Sequence, residues 1–334
     1  MTISAAMLVP PSIAFGLSLL ILTAILRPGV TRHLAMDQPN QRSLHSLPVP
    51  RSGGIAIVVA TLGAWSLSPQ STPLLMLLTL MLAGISYTDD WKGLPVAVRL
   101  IVHGLAAAVL VWSGLAGHRP DFWLATALLG YIVWMTNAYN FMDGADGLAG
   151  GMAVFGFSAY GLAACAAPAE ALAATCFTVA AAAAGFLPFN FPPAKIFMGD
   201  VGSIPLGFMA AVLGLMGWQQ EAWPLWFPAL VFSPFLADAS VTLLRRMIRG
   251  ERFWQAHCDH YYQRLIRMGW EHRRTALSEY LLMAAVTASA VVGLRFPAQV
   301  QTAVLITWIA IFAGMMLAID HSWRRFQHGT EERT

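Results

Sequence analysis

Charge is what this chain lacks. Of its 334 residues only 11% are Asp, Glu, Lys or Arg, less than half the share of about a quarter in a soluble globular domain. The deficit is concentrated. No such residue occurs in 1–26, 52–88, 122–142, 147–169, 171–194, 201–220 or 296–319. A helix needs roughly 20 apolar residues to cross the hydrocarbon core, and 52–88 is long enough for two crossings broken at "SPQSTP". The scarcity excludes a water-soluble domain. Because the runs are continuously apolar and do not alternate, it also excludes a membrane β-barrel. Cysteine is scarce too: Cys165, Cys176 and Cys258 have neither zinc-ligand spacing nor the pattern of a disulfide framework. No basic residue precedes the first apolar run, Arg27 being the first charge, so 8–26 reads as a retained span and not a cleaved signal.

What is present is 57% hydrophobic residues. They predict an all-α, polytopic integral membrane protein with about eleven spans, at 8–26, 53–68, 72–88, 96–116, 122–137, 149–167, 169–188, 202–218, 223–244, 279–294 and 299–318. An odd count puts the two ends of the chain on opposite sides. Of the 20 Lys and Arg residues, only Arg119 and Arg295 fall in one set of loops and the other eighteen in the opposite set. The positive-inside rule makes the rich face cytoplasmic, with the N-terminus periplasmic and the C-terminus cytoplasmic. The expected organisation is one catalytic membrane domain over 1–320 with cytoplasmic loops at 27–52, 89–99, 137–149, 189–202 and 245–278, followed by a cytoplasmic tail over 321–334. The Ala-rich region 157–185 has the small residues that close helix packing in lipid uses.

The remaining polar residues gather on that same face. "TDDWKGLPVAVRL" (88–100), "NAYNFMDGADGLAG" (137–150) and "NFPPAKIFMGDVGS" (190–203) carry acids, asparagines and glycines, whereas outside connections such as "SPQST" and "QQEA" carry nothing comparable. Asp89 and Asp90 repel each other, which favours a bound cation or a raised pKa; a solvated helix end accounts for an isolated pair equally well. Asn137, Asn140, Asp143 and Asp146 recur every third residue, with Gly144 and Gly147 permitting unusual backbone angles. A helix stop needs one glycine and no such run of oxygens. Asp200 sits between Gly199 and Gly202 just before a span. Hard oxygen donors suit Mg²⁺ or Mn²⁺ rather than zinc, and Mg²⁺ shares one or two carboxylates with substrate phosphates. Arg51 and Arg99 can hold phosphate bidentately, while the run Arg245, Arg246, Arg249 and Arg252 is accounted for by topology. His260 can donate to a phosphate or act as acid or base, and a loop histidine without a role is as good an account. Asp238 stands at membrane depth with Arg245 two turns on, which suits a function or a packing ion pair equally. Acids, a hard cation and arginines at one membrane surface point to phosphoryl chemistry on a lipid-borne substrate.

These motifs, in this order and separated by spans, resemble the polyprenyl-phosphate N-acetylhexosaminyl-1-phosphate transferases, and "PNQRSLHSLPVPRSGG" (39–54) is similar to that family's first inside loop. The resemblance runs from about 37 to 265. It implies transfer of N-acetylhexosamine-1-phosphate from a UDP-N-acetylhexosamine to undecaprenyl phosphate, releasing UMP, in the bacterial inner membrane with the active site facing the cytoplasm. The best fit is the branch that initiates O-antigen or related surface polysaccharides. By resemblance Asp200 holds Mg²⁺ (Mn²⁺ substituting) with the diphosphate, together with Asp143. Asp89 or Asp90 orients or deprotonates the lipid phosphate with Arg99 beside it. Asn137, Asn140 and Arg51 line the substrate site, Asp146 contacts uracil and Phe197 stacks on the base. Where relatives carry a histidine-rich motif this chain reads "HCDHYYQRL", with Tyr262 and Gln263 in place of two histidines. His260 and Arg264 are therefore expected as phosphate or nucleotide contacts at most. Covalent and direct attack both remain open, as do a homodimer and the identity of the aminosugar. No nucleic-acid partner is expected. The rival of a different class is a cation-coupled transporter, which predicts polar groups near mid-bilayer. A CDP-alcohol phosphotransferase would need Ala-Arg after the DG run, and it is missing.

Overall fold

A computed structural model describes residues 5–31, 34–38, 48–68, 72–114, 120–252 and 257–331; part of the first inside loop, 39–47, and Arg119 lie outside them. Every apolar run named above coincides with helix. In chain order the elements are α1 (Ala5–Ile25), α2 (Pro28–Thr31), the two-residue strands β1 (Met36–Asp37) and β2 (Val49–Pro50), α3 (Gly54–Ser66), α4 (Pro73–Lys92), α5 (Val96–Trp112), α6 (Phe122–Phe141), α7 (Leu148–Ala166), α8 (Glu170–Asn190), α9 (Asp200–Gln219), α10 (Trp226–Val231), α11 (Ser233–Ile248), α12 (Tyr261–Arg267), α13 (His272–Gly293) and α14 (Ala298–Glu331). Among the described residues, six helices (α1, α7, α8, α9, α13 and α14) combine the length and composition needed to cross a membrane. The architecture is that of an all-α, multi-pass membrane protein. Among the described residues the one β feature is the antiparallel pairing of Met36 with Pro50 and Asp37 with Val49.

Local chemistry sets the helix limits. Pro73 opens α4, where a missing N–H costs nothing, and Gly93 closes it at φ +65°. Asp121 caps α6 by accepting from the Leu124 amide at 2.8 Å. Two boundaries differ from expectation. The span expected over 223–244 is broken into α10 and α11 at Phe232, because Pro234 in the first turn of α11 has no amide to continue the α10 ladder. The tail expected from 321 has no boundary of its own, since α14 continues unbroken to Glu331.

Helix α9 is the axis of the bundle, buried continuously from Val201 to Leu215. It packs on α4 and α6, while α8 packs on α1 and α7. Hydrophobic segregation does not drive helices together inside lipid, so close van der Waals contact must, and that needs small residues. Gly207 of α9 lies against Tyr139 and the Met135 carbonyl of α6, and Gly185 of α8 against the Phe15 carbonyl of α1. Cys165, Cys176 and Cys258 form no disulfide. The consequence for function is geometric. Packing α9 between α4 and α6 sets the start of α9 beside the ends of the other two.

Candidate active site

The site begins where three backbone hydrogen bonds lace the segment before α3 to the segment before α9. Phe197 N donates to Pro50 O at 2.7 Å, Gly53 N to Phe197 O at 2.9 Å and Gly54 N to Met198 O at 2.8 Å. Gly199 takes φ +70°, and a Cβ there would collide with the Arg51 carbonyl and lie 2.9 Å from Asp90 Oδ2. Only glycine allows this approach. It delivers Arg51, Asp90 and Asp200 to one place.

The two neighbouring aspartates have different jobs. Asp89 closes the end of α4: Oδ1 accepts from the Leu94 amide at 2.5 Å, and Oδ2 meets Arg99 Nη1 at 2.9 Å. Asp90 faces inward. Its Oδ1 is 3.5 Å from Arg51 Nη2, its carbonyl accepts from that same nitrogen at 2.5 Å, and its Oδ2 accepts from the Val201 amide at 3.4 Å. Arg99 also reaches Asp200 Oδ2 at 3.5 Å, joining the two acids. Asn140 accepts from the Ser203 hydroxyl at 2.6 Å, which pins the end of α6 to the start of α9. Asp143 follows in the turn after α6.

Asp90 and Asp200 thus lie together with two arginines at the margin, and Asp143 is near enough to feel the charge of both. Burial, then the Asp200 charge, push the Asp90 carboxyl up to about 7, against the smaller opposing pull of Arg51. Burial, then Asp200 and Asp90, hold the Asp143 carboxyl well above the usual carboxylate range. Groups this short of positive charge accept either a proton or a cation. Among the described residues no three His, Cys, Asp or Glu side chains form a metal cage on their own. The donor set fits a cation that shares two carboxylates with phosphate oxygens, which is how Mg²⁺ is commonly held.

Not every expected site residue joins this cluster. Asn137 donates to Val133 O at 2.7 Å and contacts His103. Asp146 turns the other way: Oδ2 accepts from the Ala194 amide at 3.0 Å, and Oδ1 is 3.5 Å from His272 Nδ1. Phe197 enters through its backbone, as above. His260 and Arg264 are both buried. His260 Nδ1 is 3.1 Å from Asp238 Oδ1, and Arg264 is 2.9 Å from Asp320 Oδ1. Asp238 therefore pairs with His260 and not with Arg245, which binds Asp320 at 2.5 Å instead. Gly147 does take the left-handed φ of +77°, but Gly144 does not; its small size is needed because a Cβ would collide with the Tyr262 hydroxyl.

Sequence reasoning missed Asn190 and Ser203. Asn190 accepts from the Gly147 amide at 2.9 Å and donates to Ile196 O at 2.9 Å, tying the Asp146 turn to the 190s loop. Both residues lie inside quoted motifs, where a buried amide or hydroxyl at a helix end was the available signal.

Residues 72–218 match the family model "Glycosyl transferase family 4". Over that stretch, somewhat under half of its length, the chain is similar to that family. A probable undecaprenyl-phosphate N-acetylglucosaminyl 1-phosphate transferase of Bacillus subtilis is 29% identical, covering 91% of this chain and 87% of the relative. A decaprenyl-phosphate N-acetylglucosaminephosphotransferase of Mycobacterium tuberculosis is 28% identical over 86% of this chain and 83% of its own. An undecaprenyl-phosphate alpha-N-acetylglucosaminyl 1-phosphate transferase of Yersinia pestis is 27% identical over 86% and 85%. The protein is an enzyme, a phosphotransferase. The matched stretch holds Asp89, Asp90, Arg99, Asn137, Asn140, Asp143, Asp146, Phe197 and Asp200, and leaves Arg51, His260 and Arg264 outside.

Proposed function

We propose that the protein transfers N-acetylhexosamine-1-phosphate from a UDP-N-acetylhexosamine to undecaprenyl phosphate, releasing UMP. The lipid phosphate oxygen bonds to the β-phosphorus as the bond to the UMP oxygen breaks. One phosphoanhydride replaces another, so the reaction is nearly thermoneutral and depends on positioning and charge neutralisation. The observation that carries this reading is the convergence of Asp90, Asp143 and Asp200 with Arg51 and Arg99 at one end of the bundle. Arg99, shared between Asp89 and Asp200, is placed to hold a phosphate oxygen between them, and Arg51 a second. Asp90 orients the lipid phosphate or takes its proton. Asp143 and Asp200 would hold Mg²⁺, with Mn²⁺ as a substitute, which when bound offsets the roughly four negative charges of the two substrates. On this reading the chain crosses the inner membrane eleven times, with this end at the cytoplasmic face and the N-terminus outside, as the one-sided basic residues support. The product would start an O-antigen or related surface polysaccharide.

The test uses purified protein, undecaprenyl phosphate, Mg²⁺ and a panel of UDP-N-acetylhexosamines, following UMP and lipid-linked product. Turnover with one donor is expected. Folded protein that makes no product with any donor would sink the proposal and favour the transporter.

The raised carboxyls add a pH dependence. Asp143, whose carboxyl burial and the neighbouring acids hold well above the usual range, retains a proton that a cation must displace. The Mg²⁺ concentration for half-maximal activity should therefore rise as the pH falls, by up to about tenfold per pH unit for each proton displaced. A half-saturating concentration that does not change with pH would remove Asp143 from the cation site.

A further inference from the structure

The loop that leads into α12 is tied by its geometry to the turn after α6. Asp238 of α11 is buried and spends both oxygens on the start of α12: Oδ1 meets His260 Nδ1 at 3.1 Å and accepts from Thr242 Oγ1 at 3.0 Å, while Oδ2 accepts from the Tyr262 amide at 3.2 Å. The His260 ring lies between two aromatic neighbours, Phe141 with centroids 6.4 Å apart and Tyr262 at 6.0 Å, at interplanar angles of 27° and 14°. The Tyr262 hydroxyl donates to the Phe141 carbonyl at 3.4 Å and fills the space a Cβ on Gly144 would need. Phe141 and Gly144 flank Asp143. Through Tyr262 this unit reaches the backbone of the turn that carries Asp143.

We infer that Asp238, His260 and Tyr262 are positioning residues, a clamp from α11 and α12 that fixes the 141–144 turn and thereby aims Asp143 for the transfer. The inference rests on the function proposed above. On this inference His260 acts through the turn and not on the substrate. Misplacing a reacting group by about 1 Å costs on the order of 100-fold, so the loss should appear in kcat with little change in the KM for the sugar nucleotide.

Two comparisons test it. Asparagine can place a nitrogen near the position of His Nδ1, so His260→Asn should keep most of the kcat that His260→Ala loses. A true acid–base or phosphate contact would lose equally in both, or would raise KM. Gly144→Ala should lower kcat by roughly 100-fold through collision with the Tyr262 hydroxyl. Tyr262→Phe should lower it less. The double variant Gly144→Ala/Tyr262→Phe should recover much of the loss, because removing the hydroxyl leaves the added Cβ 3.4 Å from the ring. A merely structural defect in both positions would add instead of cancelling. Turnover by the unsubstituted protein without either rescue would overturn the clamp alone. Absence of turnover in the unsubstituted protein would overturn the proposed function and the clamp's catalytic role together.

Discussion

Asp200→Asn should lower UMP release by about 10²–10³-fold, the loss that follows removal of one preorganised charge-stabilising group, and should leave the protein no less stable when no divalent cation is present. Asp200 is the first residue of α9, bonded to Arg99 at 3.5 Å and close enough to Asp90 and Asp143 to raise both. An amide of the same shape keeps the packing and removes one of three mutually repelling charges. Without a divalent cation that repulsion is unrelieved, so the variant should melt at a temperature equal to or above that of the unsubstituted protein in EDTA. With Mg²⁺ the order should reverse, because only the unsubstituted site gains binding energy from the cation. Activity assays and thermal melts in detergent, each with EDTA and with Mg²⁺, give the four values needed. A variant that keeps more than a tenth of the activity would take Asp200 out of the reaction. The arrangement is that of a functional site which holds like charges together at a cost to the fold and is relieved when loaded.

The helices were legible because the lipid solvent imposes long charge-free runs, and the acids were legible because nothing else in such a chain tolerates them. The break at Phe232 was within reach too, since Pro234 is visible, but an apolar run of sufficient length hides a change of direction. Less was legible where two distant segments settle a residue's role. Asp89 and Asp90 are indistinguishable by type, and only the positions of Leu94, Arg99 and Val201 make one a helix-end brace and the other a member of the cluster. Asp238 and Arg245 have helical spacing for a pair, yet each finds a better partner from α12 or α14 across the bundle. Asp146 shares its motif with Asp143 but faces Ala194 and His272, because Gly147 turns the chain between them and α7. Periodicity in a turn fixes spacing along the chain, not direction in space.

Gly54→Ala should do what Asp200→Asn does not, and remove activity and stability together. Gly54 begins α3, and a Cβ there would collide with the Cα and amide nitrogen of Gly202 and lie 2.8 Å from the Met198 carbonyl. All three are backbone atoms, so no rotamer change relieves the clash and one segment must move. Overpacking of this kind costs about 3 kcal/mol. The movement would also strain the Gly54–Met198 and Gly53–Phe197 hydrogen bonds that hold Arg51 against Asp90 and set the start of α9. The control is Gly84→Ala on an exposed face of α4, where a new Cβ meets nothing within 4 Å. In a helix interior that change is neutral or stabilising by up to about 1 kcal/mol. Melting temperature and UMP release should fall in parallel for Gly54→Ala and hold for Gly84→Ala. Equal behaviour of the two variants would mean that the contact between the segment before α3 and the start of α9 does not assemble the site. The two variants separate the charges proposed to perform transfer from the glycines that bring them within reach of each other, a division the chain writes as "RSGG" facing "GDVGS".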